Sequence, residues 1–457
     1  MILLVALLVA TVTAAAVDIG ADGNVLSIPS EHAVPTSATN GDRITAVLCL
    51  AIGTSADDDG GGQDTATDGR DDLGRAKLLI ASMRARMDVD HVLDEFLVVV
   101  PDRELPTVRD ALLPDSGALQ KKMRFVPERS LLVDDDTGAP LFHEAWDTGA
   151  DEPWAGNAVQ MALKLLVSRV VRTPFYLTLD ADVLVAGGGR GGGDSGGGGR
   201  ARVTLDDLLP STGPGTGGGG RRALYWPEPR GVHAHWWRAS AALLRMGPKR
   251  GSEEGADPGG GAHAATGPLP DPVPQHLVPG GEAGFGVTPA LLSTAGARLV
   301  LRRLRALYGA RFVARWIGAW GKPAAVDLQG PPPFGGNSGA PENLRMWWSE
   351  YTLYRLVLAA SGVFDALHAC DGHCDGSGSP RLVCTGGGGG GGGDGGDGGG
   401  GGSVWFAGGG AWRAWNAAAV FDQRGRGPWE RRCLFAVVQS TAQVPVAELA
   451  AAVGPWL

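Results

Sequence analysis

Hydrophobic positions in the first half of the chain fall into short unbroken runs, separated by segments with helical spacing. Ile44–Ile52 (ITAVLCLAI) is an apolar run of strand length, and Glu95–Val100 (EFLVVV), ended by Pro101, is another. Continuous runs this short are typical of strands buried on both faces. Met123–Val126 reads as a weaker third strand, and Phe175–Leu179 (FYLTL), entered through Pro174, as a fourth. Between them, Asp71–Met87 carries a capping Asp and apolar or small residues at helical spacing, and Glu104–Leu113 reads as a short helix. Pro153 opens a stronger helix through Val171, with Trp154, Ala158, Met161, Leu165 and Ser168 on one face. Strand and helix alternating over ~140 residues predict an α/β fold with a mostly parallel sheet. In such sheets ligands bind beyond the carboxyl ends of the strands. The second half is less regular: Ala223–Trp226 and Phe285–Thr288 read as strands, Pro289–Tyr308 and Trp347–Leu358 as helices.

Composition changes this picture in two ways. The 457 residues include 74 glycines and 30 prolines, and much of the glycine lies in Asp57–Gly69, Gly187–Gly199, Gly217–Gly220, Gly251–Gly267 and Gly386–Gly402. Such runs cannot recover their ordering entropy by burial, so they are expected as disordered surface insertions between elements. The formal net charge of −9 argues against a protein that coats nucleic acid.

Met1–Val17 is an uncharged apolar run ending in small residues, although it lacks a basic start. Residues 1–16 are expected to be a signal peptide or an N-terminal anchor, with a buried core element as the other reading. The anchor would be the chain's only membrane contact, and the protein would reach the secretory pathway, in the Golgi lumen or beyond. Residues 42–365 form the expected α/β domain, and 366–457 a Cys/Gly-rich extension. Cys370, Cys374 and Cys384 cluster around CDGHC. A disulfide-stapled loop is favoured there over a zinc site that would also use His373, because the spacing matches no strong zinc pattern.

The D-x-D string recurs at Asp57–Asp59, Asp88/Asp90, Asp134/Asp136 and Asp180/Asp182, and the last pair follows a five-residue buried-type strand. Alternate residues of an extended chain project to the same side. Carboxylates at i and i+2 beyond a strand end can therefore meet one hard cation such as magnesium or manganese. The competing reading is a solvated acidic turn.

Trp154, Gln160, Lys164 and Leu165, followed by FYLTLDADV, resemble the W…Q…KL…YLxLDAD segment of an uncharacterised family of GT-A-type, glycosyltransferase-like proteins. Ser349-Glu350-Tyr351-Thr352-Leu353-Tyr354 is similar to the S-E-Y-x-x-Y helix of the same family. The resemblance runs loosely from Ile44 to about Phe364. It implies a GT-A-like (Rossmann-like) mixed, mostly parallel sheet flanked by helices. It also implies a nucleotide-sugar donor, a glycan or glycoprotein acceptor, and Mn2+ or Mg2+ held against the donor diphosphate. On that resemblance Asp182 coordinates the metal, while Asp180 touches the ribose or a metal-bound water.

Glu350 is the candidate base or acceptor-hydroxyl ligand, or else an exposed glutamate paired with Arg345 or Arg355. Lys164 either approaches a donor phosphate or snorkels from its helix. In HAHWW, His233 or His235 could supply a third metal ligand, against a structural role for both. Trp236, Trp237, Trp347 and Trp348 offer at most one or two sugar platforms, since core filling explains most tryptophans.

Two other functions compete with the metal-dependent glycosyltransferase. Haloacid-dehalogenase-type phosphatases also begin with a strand and D-x-D, but near the start of the domain, and here Leu184 stands where they carry Thr or Val. A non-catalytic secreted binding protein on a degenerate scaffold is the second. It is favoured by the glycine tracts and by GGEAGFGVTPALLS, which lacks the histidine expected there.

Overall fold

The computed structural model describes residues 43–52, 72–134, 136–141, 155–187, 202–211, 220–229, 234–246, 283–286, 288–320, 348–370, 381–383, 433–438, 444–454 and 457. In chain order the first half comprises β1 (Ile44–Cys49), α1 (Asp72–Arg86), α2 (Val89–Val92), β2 (Leu93–Val100), α3 (Leu105–Leu112), β3 (Met123–Pro127), α4 (Ala155–Leu166), β4 (Phe175–Leu179), β5 (Val183–Val185) and α5 (Leu205–Leu208). Then come β6 (Ala223–Tyr225), β7 (Pro227–Pro229), α6 (Ala234–Leu243), β8 (Ala283–Phe285), β9 (Ala290–Ser293), α7 (Thr294–Tyr308), α8 (Phe312–Ala319), α9 (Glu350–Ala360) and α10 (Phe364–Leu367). Three short strands and a helix finish the chain: β10 (His368–Cys370), β11 (Arg381–Val383), β12 (Cys433–Val437) and α11 (Val446–Val453).

The main sheet has the order β3-β2-β1-β4-β9. Its first four strands are parallel, and β9 runs antiparallel to β4. The alternating pattern predicts the parallel strands, and the mixed, mostly parallel sheet flanked by helices is the one the resemblance implies. All six residues of β1 are buried, because both of its faces are covered. Val47 and Cys49 join a core with α4, α6, α7, α8 and α9. Ile44, Ala46 and Leu48 join the opposite core with α1 and α3. Trp348 is fully buried in the first core against Trp316, with ring centroids 4.9 Å apart.

The chain differs from the expected boundaries where short apolar runs are ambiguous. The predicted helix Pro289–Tyr308 begins only at Thr294, and Ala290–Ser293 instead pairs with β4. Ser293 ends the strand and caps the helix, its Oγ accepting from the Gly296 amide at 3.3 Å. The predicted strand Phe285–Thr288 is displaced into β8, which ends at Phe285. Gly296 lets α7 approach α9 closely, since a Cβ there would lie 2.8 Å from the Tyr354 hydroxyl.

The described stretches beyond residue 365 pack on the same body. β10 pairs with β6, and β12 lies between β11 and β5 in a second small sheet. Apart from Gly187 and Gly220, the predicted glycine insertions lie outside the described residues, as do the N-terminal run and Trp154. Cys370 is disulfide-bonded; Cys374, Cys384 and His373, on which the stapled-loop and zinc readings also depend, are outside the described residues.

Candidate functional site

After β1 the chain builds β2 and β3 to one side, then crosses through α4 to β4 on the other side of β1. The carboxyl ends of β1 and β4 therefore flank the point where strand order reverses, the usual ligand crevice of an open α/β sheet. Asp180 and Asp182 stand there, both half-buried, on a turn closed by the Val183 amide donating to the Asp180 carbonyl at 3.1 Å. One helical turn separates Gln160 from Lys164 on α4, so the two side chains emerge on one face. Gln160 spans the crevice, its amide nitrogen donating to the Cys49 carbonyl at 3.2 Å and to Asp180 Oδ1 at 3.3 Å.

Lys164 lies deeper. Its Nζ is 2.9 Å from Asp180 Oδ1 and 3.4 Å from Glu350 Oε1, and it donates to Thr288 Oγ1 at 2.8 Å. An ammonium carries three hydrogens, and these three acceptors account for them. Its side chain is 5% exposed, so it does not snorkel. Burial acts to lower its pKa, but Asp180, Tyr351 and Glu350 more than reverse this, holding it well above the usual lysine value.

Glu350 opens α9 and is buried, which overturns the exposed-glutamate reading; Arg345 lies outside the described residues. Ser349 Oγ donates to its second oxygen at 3.4 Å. Burial raises its pKa, and Lys164 opposes the rise. A base must touch an acceptor hydroxyl, and at 2% exposure this carboxylate faces Lys164 rather than solvent. The two tyrosines of the same segment are structural. The Tyr351 hydroxyl bridges Thr178 on β4 at 2.9 Å and Thr288 at 2.8 Å. The Tyr354 hydroxyl accepts from the Ser293 amide and meets His368 Nε2, each at 2.8 Å.

The other acidic pairs are built differently. Asp134 Oδ1 accepts from the Asp136 and Thr137 amides and the Thr137 hydroxyl, which closes its own turn and lowers its pKa. Asp88 pairs with His91. Asp180, by contrast, is bonded to residues of another element. His235 lies in the first turn of α6, but its side chain, with His233 and Trp347, is outside the described residues. Trp348, as a core residue, presents no face to a sugar, and Trp237 is also buried.

The sequence reading missed an acidic group at the ends of β2 and β3. Glu104 accepts from the Ile52 amide at 2.6 Å, just past β1. Glu128, following β3, is pushed up to about 7 by burial, with Glu104 and Asp102 adding to the rise. The signal was positional: each carboxylate lies within four residues after a predicted strand. Among the described residues, no group of three or more His, Cys, Asp or Glu is arranged to hold a metal ion.

No curated protein matches the chain. The crystal structure of apo mouse xyloside xylosyltransferase 1 is similar at 12% identity and a TM-score of 0.34, covering 88% of this chain and 100% of that one. A family model matches residues 42–257 and 275–385, a span that includes β1, the acidic turn and the Ser349-Glu350-Tyr351 segment, and the chain belongs to that family of unknown function (DUF6492).

Proposed function

We propose that the protein is a metal-dependent glycosyltransferase that moves a sugar from a nucleotide-sugar donor to a glycan or glycoprotein acceptor. The observation that carries this reading is the joining of Asp180 to Glu350 through Lys164, at the point where strand order reverses. The three residues lie on β4's exit, α4 and α9, and an eroded scaffold has no need to keep three such distant positions in one ionic cluster.

The donor set fits a magnesium- or manganese-type ion, because such ions are commonly held by one or two carboxylates with substrate phosphates completing the shell. Asp182 is the residue that would hold it. Asp180, with both oxygens engaged by Lys164 and Gln160, backs the turn and is available to a ribose hydroxyl. The bound ion would supply charge neutralisation for the departing diphosphate. Lys164 holds Asp180 in orientation, and acts as a positioning residue rather than a phosphate ligand. Glu350 is the second counter-charge of Lys164, and the Thr178–Tyr351–Thr288 hydroxyl chain fixes the depth at which that ammonium sits. His235 remains the candidate third metal ligand.

A secretory-pathway location fits the disulfide at Cys370, since such bonds persist in oxidising compartments. Among the described residues no helix is long and apolar enough to cross a membrane.

The test is calorimetry of UDP and GDP, with and without manganese, on the protein and its Asp182→Ala variant. Manganese-dependent binding that disappears in Asp182→Ala is the expected result. Absence of binding of both nucleotides to folded protein would replace this reading with the non-catalytic scaffold.

A further inference from the structure

The acidic turn is held from two directions. On the side of the main sheet, Lys164 and Gln160 fix Asp180. On the other side the chain runs directly into β5, whose partner is β12, from a segment beyond the family match. Val437 pairs with Val183, Ala436 with Leu184 and Phe435 with Val185. The ladder continues past both strand ends: the Val438 amide donates to the Asp182 carbonyl at 3.0 Å, and the Ala186 amide to the Leu434 carbonyl at 2.9 Å. Asp182 is thus the terminal rung of a sheet completed by the C-terminal chain.

That chain is itself anchored. Arg75 of α1 is fully buried, and its guanidinium donates to the Val438 carbonyl at 2.9 Å and the Val444 carbonyl at 2.7 Å. Val444, Leu449 and Val453 bury against Leu184, Ala186, Ala436 and Val438.

We propose that residues 433–438, with residues 444–453 packed behind them and Arg75 as anchor, position the acidic turn: Val438 sets the backbone of Asp182, and through it the direction of the carboxylate. The functional consequence rests on the donor-site reading above; the positioning itself does not. A two-residue step separates Asp180 from Asp182, so a turn fixed at only one end would leave the second carboxylate free to rotate away from the first.

Val438→Pro is the sharpest probe. It deletes the Val438 amide hydrogen that reaches the Asp182 carbonyl, and Val437, in extended conformation, is the kind of residue that tolerates a following proline. Arg75→Met, with Arg75→Lys as rescue, releases the anchor from a distance. Two readouts are taken on the full chain: hydrogen exchange of residues 180–186 against β1 and β2, and manganese–UDP affinity.

One lost hydrogen bond corresponds to up to about tenfold in an equilibrium. Val438→Pro is therefore expected to speed exchange at the Leu184 and Ala186 amides, which face β12 in the alternating ladder, by about that factor with β1 and β2 unchanged, and to weaken manganese–UDP binding comparably. Arg75→Met should do the same, with part of the loss recovered by Arg75→Lys. Unchanged exchange in 180–186, or acceleration spread equally through β1 and β2, would overturn the proposal. If Arg75→Met fails to fold, Val438→Pro decides alone; if both fail, the segment is a global stability element and the proposal is wrong. Localised exchange in a protein that binds no nucleotide would sink the donor reading while leaving the positioning role intact.

Discussion

Two buried cations serve opposite ends of one turn, and they do so with different chemistry. Lys164 is surrounded by the carboxylates of Asp180 and Glu350 and the hydroxyl of Thr288, whereas Arg75 grips the backbone carbonyls of Val438 and Val444. A point-like ammonium suits a compact cage of side chains, and a planar fork suits two carbonyls on one strand of chain. The difference separates two tasks. Charge neutrality at the crevice is handled by Lys164, while Arg75 handles the path of the backbone.

The largest expected effect comes from removing the first cation. Lys164→Met leaves Asp180 and Glu350 facing each other without compensation and should cost about 3–5 kcal/mol in denaturant unfolding. Combining it with Glu350→Gln should recover much of that loss, which a double-mutant cycle would read as coupling. Additive losses would mean that Lys164 and Glu350 do not share one cage.

A second prediction concerns pH. Glu128 has its folded pKa raised to about 7 from 4.5, so the folded state binds the extra proton between those values. Its stabilising contribution is present below pH 4.5 and is lost as pH rises through about 7. Glu128→Gln should therefore gain roughly 1–3 kcal/mol over the unmodified protein at pH 8, with the gain vanishing in acid. A gain independent of pH would break the assignment.

Smaller again is Thr288→Val, which removes a hydroxyl bonded to both Lys164 and Tyr351. A loss of ~1–2 kcal/mol in thermal unfolding is expected. Tyr351→Phe should cost about 1 kcal/mol, since Thr178 keeps the Ala290 carbonyl as a partner.

The same contrast shows how far the sequence could be read. The main sheet was legible because strands covered on both faces must be continuously apolar, and ITAVLC, EFLVVV and FYLTL have no other economical place. Asp180 stood out from the other acidic pairs by its position after such a strand. The resemblance in FYLTLDADV and SEYTLY named residues that do come together. It also named Lys164, which joins them, but not that its charge is shared between Asp180 and Glu350, because a buried ion pair across 186 residues leaves no local pattern. The second small sheet was illegible for another reason: β5, β11 and β12 are short, and β5 and β12 lie far apart in sequence. Arg75 is equally silent, one arginine in a helix whose burial depends on a chain segment more than 360 residues away.

The last rung between β5 and β12 has a consequence for how this chain can vary in length. Ala186 makes that rung, and Gly187 follows at once with φ of 91°, a left-handed step that glycine takes freely. Residues added or lost after Gly187 would therefore begin downstream of a closed ladder and leave the spacing from Asp180 to Ala186 unchanged. The gene can lengthen or shorten its glycine-coding tract at this place without shifting the reading of the site, while a single-residue change two positions earlier would break it.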